Sequence, residues 1–129
     1  MARPASGRPT DQELEILKVL WQQGPSSVRD VWKTIALSRD IGYTSVLKIM
    51  QIMRDKGLLA CDARNRPQVF RPRQSQQATL KHLAGDLLKR AFGGSARSLL
   101  LHALGNERTS RDELDEIRKL LDEMEGKAK

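Results

Sequence analysis

The stretch IGYTSVLKIMQIMRDKGLL, residues 41–59, holds the chain's densest set of side chains suited to recognition chemistry. Within it Thr44, Lys48, Gln51 and Asp55 recur at helical spacing. At about 100° per residue these four share one side of a helix, and Val46, Ile49, Met50 and Met53 gather on the other. Such a helix can pack one face and offer hydrogen-bond donors and acceptors with the other.

Catalytic chemistry finds no comparable footing. The sequence contains no nucleophile elbow, no Gly-rich phosphate loop and no paired-carboxylate site. His82 and His102 fall in separate segments without the Cys or carboxylate spacing of a zinc site. Cys61 is the only cysteine, so a disulfide framework within the chain is excluded and a redox role lacks a resolving partner. It reads as a half-buried strand residue in a reducing, cytoplasmic protein. An enzyme is not expected, and neither a cofactor nor a metal is called for.

The elements that must position the 41–59 helix are readable on both sides of it. Thr10-Asp11-Gln12-Glu13 is a capping-box pattern that starts a first helix, carried on by Leu14, Leu17, Val19, Leu20 and Trp21 and stopped by Gly24-Pro25. Ser26-Ser27 offers a second cap. Val28, Val31, Trp32 and Ile35 then follow at i, i+3, i+4 and i+7. Residues 38–42 are a polar connection, and Gly57 ends the third helix. Leu58–Asp62 and Gln68–Arg71 flank Ala63-Arg64-Asn65-Arg66-Pro67 and predict a hairpin with a basic tip. Trp21 and Trp32 are expected at the core or its rim, and Leu47 and Ile52, which flank the polar stripe, are expected to pack, with contact to a thymine methyl the alternative for either.

Charge follows this division. The chain carries +7, and residues 1–75 hold 13 Lys and Arg against 7 Asp and Glu, whereas residues 76–129 hold 10 against 9. A basic front half attracts polyanions by counterion release. Residues 1–9 read as a flexible basic tail without the apolar stretch of a signal peptide. No apolar run approaches the roughly 18 residues that span a bilayer, so membrane insertion is not expected.

Three short helices and a basic hairpin make a winged helix-turn-helix over residues 10–75, a mainly α fold with a small β wing. In such a fold the third helix enters the major groove of double-stranded DNA. Lys48 can donate to guanine or phosphate, and Gln51 can pair with adenine. Thr44 and Ser45 can reach phosphate or a thymine edge, and Tyr43 can pack on the sugar-phosphate chain. Arg64 and Arg66 suit phosphates or a narrow minor groove, with Arg71 a weaker candidate on the return strand. A polar helix stripe alone is more often a solvated face; here it coincides with the hairpin and the charge split. A winged helix that binds protein instead of reading DNA is the alternative, and salt-dependent binding to promoter DNA separates the two.

Residues 76–129 read as a helical dimerisation region. Leu80, Leu83, Leu87 and Leu88, with Ala84 and Ala91, line one face of a helix over 76–92. Gly93-Gly94 breaks it, and residues 95–104 form a short apolar helix. Thr109 or Ser110 caps a last helix in which Leu114, Ile117, Leu121 and Met124 form an a/d seam. About 50 residues in three helices enclose a core poorly by themselves, and pairing with a second copy resolves this. A two-fold dimer then predicts a partly palindromic operator.

The runs YTSVLKIMQIMRDKGLL and ELEILKVLWQQGPSSVRDVW, with the QVFRP strand, resemble the BlaI/MecI (penicillinase repressor) family of bacterial transcriptional regulators, from Thr10 to about Glu123. The resemblance implies a winged helix joined to a helical dimerisation region, repressing genes as a homodimer on palindromic operators. It places recognition-helix roles on Thr44, Ser45 and Lys48. Many relatives carry Arg where this chain has Ile52. In well-known members a membrane-bound metalloprotease sensor triggers cleavage at an Asn–Phe bond, and this chain has His102-Ala103 at that point. The chain ends DEMEGKAK, without the Cys-rich end of copper-responsive relatives.

Overall fold

The computed structural model describes residues 8–62, 64–106 and 108–128. Residues 1–7 of the expected basic tail, and Ala63 in the expected hairpin tip, lie outside the described residues.

Helix α1 (Asp11–Gln23) begins with the capping box. The Glu13 N–H donates to Thr10 Oγ1 at 3.2 Å, and the Thr10 N–H donates to Glu13 Oε1 at 3.0 Å. The helix stops at Gly24, whose φ of 89° lies where a side chain would be strained. Helix α2 (Val28–Ala36) is capped by Ser27, whose Oγ accepts from the Asp30 N–H at 3.2 Å. Helix α3 (Tyr43–Asp55) has Gly42 at its N-cap and no side-chain cap. Two antiparallel strands follow, β1 (Leu59–Asp62) and β2 (Val69–Pro72), with Cys61 opposite Phe70.

The packing follows the apolar periodicities. Ile16, Leu17, Leu20, Val28, Val31, Ile35, Val46, Met50, Met53, Leu59 and Phe70 form one buried cluster. Val46, Met50 and Met53 are each 0% exposed. Three side chains spaced at i, i+4 and i+7 thus hold α3 by one stripe and leave its other side to solvent. Phe70 anchors the wing, and Ser26 extends the sheet beside it. The Ser26 N–H donates to the Phe70 carbonyl at 3.0 Å, and the Phe70 N–H to the Ser26 carbonyl at 2.8 Å.

Both tryptophans are half-buried at the rim and hold the backbone with their indole N–H groups. Trp32 Nε1 donates to the Ile41 carbonyl at 2.8 Å and fixes the turn into α3. Trp21 Nε1 donates to the Gln74 carbonyl at 3.1 Å and fixes the exit from the wing. Glu13 is buried, and besides capping α1 it accepts from Lys56 Nζ at 2.8 and 3.0 Å. Lys56 is the C-cap of α3, so this pair ties the end of α3 to the start of α1.

Three more helices complete the chain: α4 (Gln76–Phe92), α5 (Ala96–Asn106) and α6 (Arg111–Ala128). Serine caps each of them, with Ser75, Ser95 and Ser110 accepting from the Ala78, Ser98 and Glu113 N–H groups at 3.0–3.1 Å. Of the two residues that could cap the last helix, Ser110 takes the role. The chain divides into two compact units inside α4, between Leu83 and Ala84, two turns past the sequence boundary at residue 75. Thr79 is buried, so the start of α4 packs with the winged unit. In the second unit, none of the described residues is buried. Leu87, Leu101, Leu120, Leu121 and Met124 are 48–59% exposed.

Candidate nucleic-acid interface

The buried stripe of α3 dictates what the helix shows to solvent. Tyr43, Thr44, Ser45, Lys48, Gln51, Ile52 and Asp55 are all exposed. With no side-chain cap at Gly42, the first N–H groups of α3 are also open, and such groups favour phosphate. The expected readers Thr44, Ser45, Lys48 and Gln51 therefore share one accessible face. Of the two flanking apolar residues, Leu47 is half-buried against the core as expected. Ile52 is not packed as expected: it is 44% exposed, because within the winged unit no described element covers that flank of α3.

Tyr43 is built into a stack. Its ring meets Trp32 edge-on, with centroids 6.0 Å apart and planes at 87°. The Arg29 guanidinium lies over the same ring, 5.5 Å from the centroid, within cation–π range. Arg29 comes from the first turn of α2 and ends up beside the first residue of α3. A crevice of about 480 Å³ opens there between α2, α3 and the wing, lined among others by Ser27, Arg29, Tyr43, Leu47, Gln68 and Phe70. Arg29 carries little signal in the sequence: its one local cue is Trp32, three residues on and so on the same helix face.

The family comparison covers both units. The profile of the penicillinase repressor family matches residues 9–123. The chain belongs to this family. Penicillinase repressors are DNA-binding regulators of transcription and not enzymes, and this chain is a DNA-binding transcriptional repressor. It is similar to a protein named transcriptional regulator BlaI from Mycobacterium tuberculosis, 30% identical over 117 residues, covering 89% of this chain and 83% of the relative. It is also similar to the penicillinase repressor of Bacillus licheniformis, 23% identical over 120 residues, covering 93% and 94%.

In this penicillinase repressor the cations near α3 differ in how far they are neutralised. Arg54 pairs with Asp55 at 3.6 Å, and Arg39 with Glu15 at 2.8 Å. The hydrogen bond to Glu15 holds the Arg39 pKa above its ordinary value. At the wing, Arg64 makes a long 3.4 Å contact with Asp62 but its side chain is 92% exposed. Arg66, also exposed, donates to the Asn65 carbonyl at 3.0 Å. Among the described residues, Arg29, Lys48 and Arg71 face solvent without a carboxylate at ion-pair distance. These charges, like those of the exposed Lys18, Lys33 and Arg73, are available to phosphate.

The second unit holds six of the eight expected dimerisation residues. Leu83, Leu88, Leu114 and Ile117 are half-buried, and Leu80, Leu87, Leu121 and Met124 are exposed; Leu80 and Leu83 belong to the part of α4 grouped with the winged unit. His102 and Ala103 lie within α5 and are exposed. His102 Nδ1 is 2.9 Å from the Ser98 carbonyl, and its ring lies 5.7 Å from that of Phe92. Among the described residues, no helix is long and apolar enough to cross a membrane.

Proposed function

We propose that this repressor acts in the cytoplasm as a homodimer on a palindromic operator, with residues 10–75 reading DNA and residues 76–129 pairing the two copies. The observation that carries the reading role is the split of α3. Fully buried Val46, Met50 and Met53 stand against exposed Thr44, Ser45, Lys48 and Gln51. Lys48 donates to a guanine edge, Gln51 to adenine, and Thr44 and Ser45 to phosphate or a thymine edge. Tyr43 packs on the backbone, while Arg64, Arg66 and Arg71 hold flanking phosphates or the minor groove.

The test is equilibrium binding to duplexes selected from random sequence or taken from upstream of the protein's own gene. Lys48→Ala is expected to weaken operator binding about tenfold or more and to relax the preference at one base position per half-site. Unchanged affinity across operator variants would remove Lys48 from the reading role. Failure of the wild-type protein to select any duplex, with salt-independent capture of a protein, would favour an interaction module.

Arg29 joins the phosphate contacts. Stacked on Tyr43, its guanidinium is pre-oriented at the mouth of the crevice and loses little freedom on binding. Arg29→Ala is expected to lower affinity for all duplexes alike and to reduce the salt slope by about one per subunit. A change confined to one base position would contradict this role.

A membrane-bound metalloprotease sensor is the family-type partner for relief of repression. At His102-Ala103 the bond is helical, so α5 has to unwind before a protease can take it in extended form. Incubation with such a sensor and mass analysis of the fragments locates any cut.

A further inference from the structure

Ile52 is the one aliphatic side chain that α3 leaves open on its polar face, at 44% exposure. It lies one turn beyond Lys48 and two beyond Ser45, so the three share a side of the helix. Leu47 and Ile49 are half-buried against the core, and Val46, Met50 and Met53 are completely buried. The helix therefore has its anchor without Ile52. Single exposed apolar residues are ordinary on protein surfaces. This one stands among Ser45, Lys48 and Gln51, on the surface that has to meet base edges. An isoleucine pressed against an adenine or cytosine amino group would strip water from that donor and leave it unsatisfied. In the major groove only thymine presents an apolar group, its C5-methyl.

We propose that Ile52 is a specificity-determining residue that packs on the C5-methyl of one thymine in each operator half-site. The inference rests on the DNA-reading role proposed above for α3. Ile52 follows Lys48 by about 6 Å along the helix, and successive base pairs are about 3.4 Å apart. Its thymine is accordingly one or two base pairs from the base that Lys48 reads. The β-branched side chain is confined to essentially one χ1 rotamer in a helix, so it meets the methyl with little entropy to lose. The effect is selection against a base pair without a methyl as much as attraction to one that has it.

The experiment is a thymine-to-deoxyuridine scan, which deletes one C5-methyl at a time from the selected operator and leaves every hydrogen-bonding group in place. Wild-type protein is expected to lose affinity about fourfold at one position per half-site, the value of one buried carbon. Ile52→Ala, at an exposed helical position, is expected to keep its melting temperature, to bind the all-thymine operator several-fold more weakly and to ignore uracil at that position. If Ile52→Ala binds the operator as wild type does, or responds to every uracil as wild type does, the thymine contact is overturned while the reading role of α3 stands. If wild-type protein selects no duplex, the reading role fails and takes this inference with it.

Discussion

Replacing Ile117 or Leu87 with aspartate is expected to turn the proposed dimer into monomers and to lower operator affinity by about a hundredfold or more. The cause lies in how the second unit is built. None of its described residues is buried, although Leu87, Leu120, Leu121 and Met124 line its helices at 48–58% exposure. In the proposed dimer such leucines gain burial against the second copy. A carboxylate placed there must shed its water without a partner, which costs several kcal/mol. Each freed winged unit then meets DNA singly and loses the effective concentration that joins two half-sites. Sedimentation velocity reads the first effect, and a titration of full and half operators reads the second. If both variants sediment as intact dimers, the assignment of this face to dimerisation is wrong. Because Leu87 is exposed in the single chain, its replacement leaves the protomer's own packing intact.

The second large effect is expected at Glu13. The residue is 4% exposed, and its carboxylate accepts from the Thr10 N–H and pairs with Lys56. Glu13→Ala removes half of a capping box and strands a lysine whose side chain is only 30% exposed. Together these are expected to lower folding stability by about 3 kcal/mol. Glu13→Gln keeps an acceptor for Thr10 and gives up the charge opposite Lys56, so it should fall between wild type and Glu13→Ala. Urea denaturation followed by Trp fluorescence gives the ordering, and equal midpoints for all three proteins would dismiss the pair as a structural tie. Because Lys56 caps α3, the loss should also fray the end of that helix, and operator affinity should decline with stability.

The caps, stops and buried stripes are legible in the sequence because they depend on neighbours a few residues away. Thr10 with Glu13, Ser27 ahead of Val28, and Gly24 at positive φ each specify a local hydrogen bond or dihedral. The stripe Val46, Met50 and Met53 follows from helical period alone. Ile52 shows where period stops being informative. It fixes an angle around the helix, but whether a position at the edge is covered depends on which element packs alongside. The covered flank is that of Leu47; the flank of Ile52 is open. Arg29 escapes the sequence for a related reason, since its partner Tyr43 is on another helix and the stack exists only once α2 and α3 are packed. The unit boundary inside α4 is equally non-local, for it depends on what Thr79 packs against. Family resemblance supplied what no local pattern holds, namely that the chain represses transcription.

The two hydrogen bonds between Ser26 and Phe70 carry a mechanical consequence. They bridge the turn before α2 to β2, so the root of the wing cannot swing independently of the helices. The span from that root to α3 then acts as a fixed caliper. A duplex whose groove spacing differs from it has to deform to be gripped at both jaws, and stiff sequences resist such deformation. The repressor would thereby gauge the pliability of base pairs that none of its side chains touches.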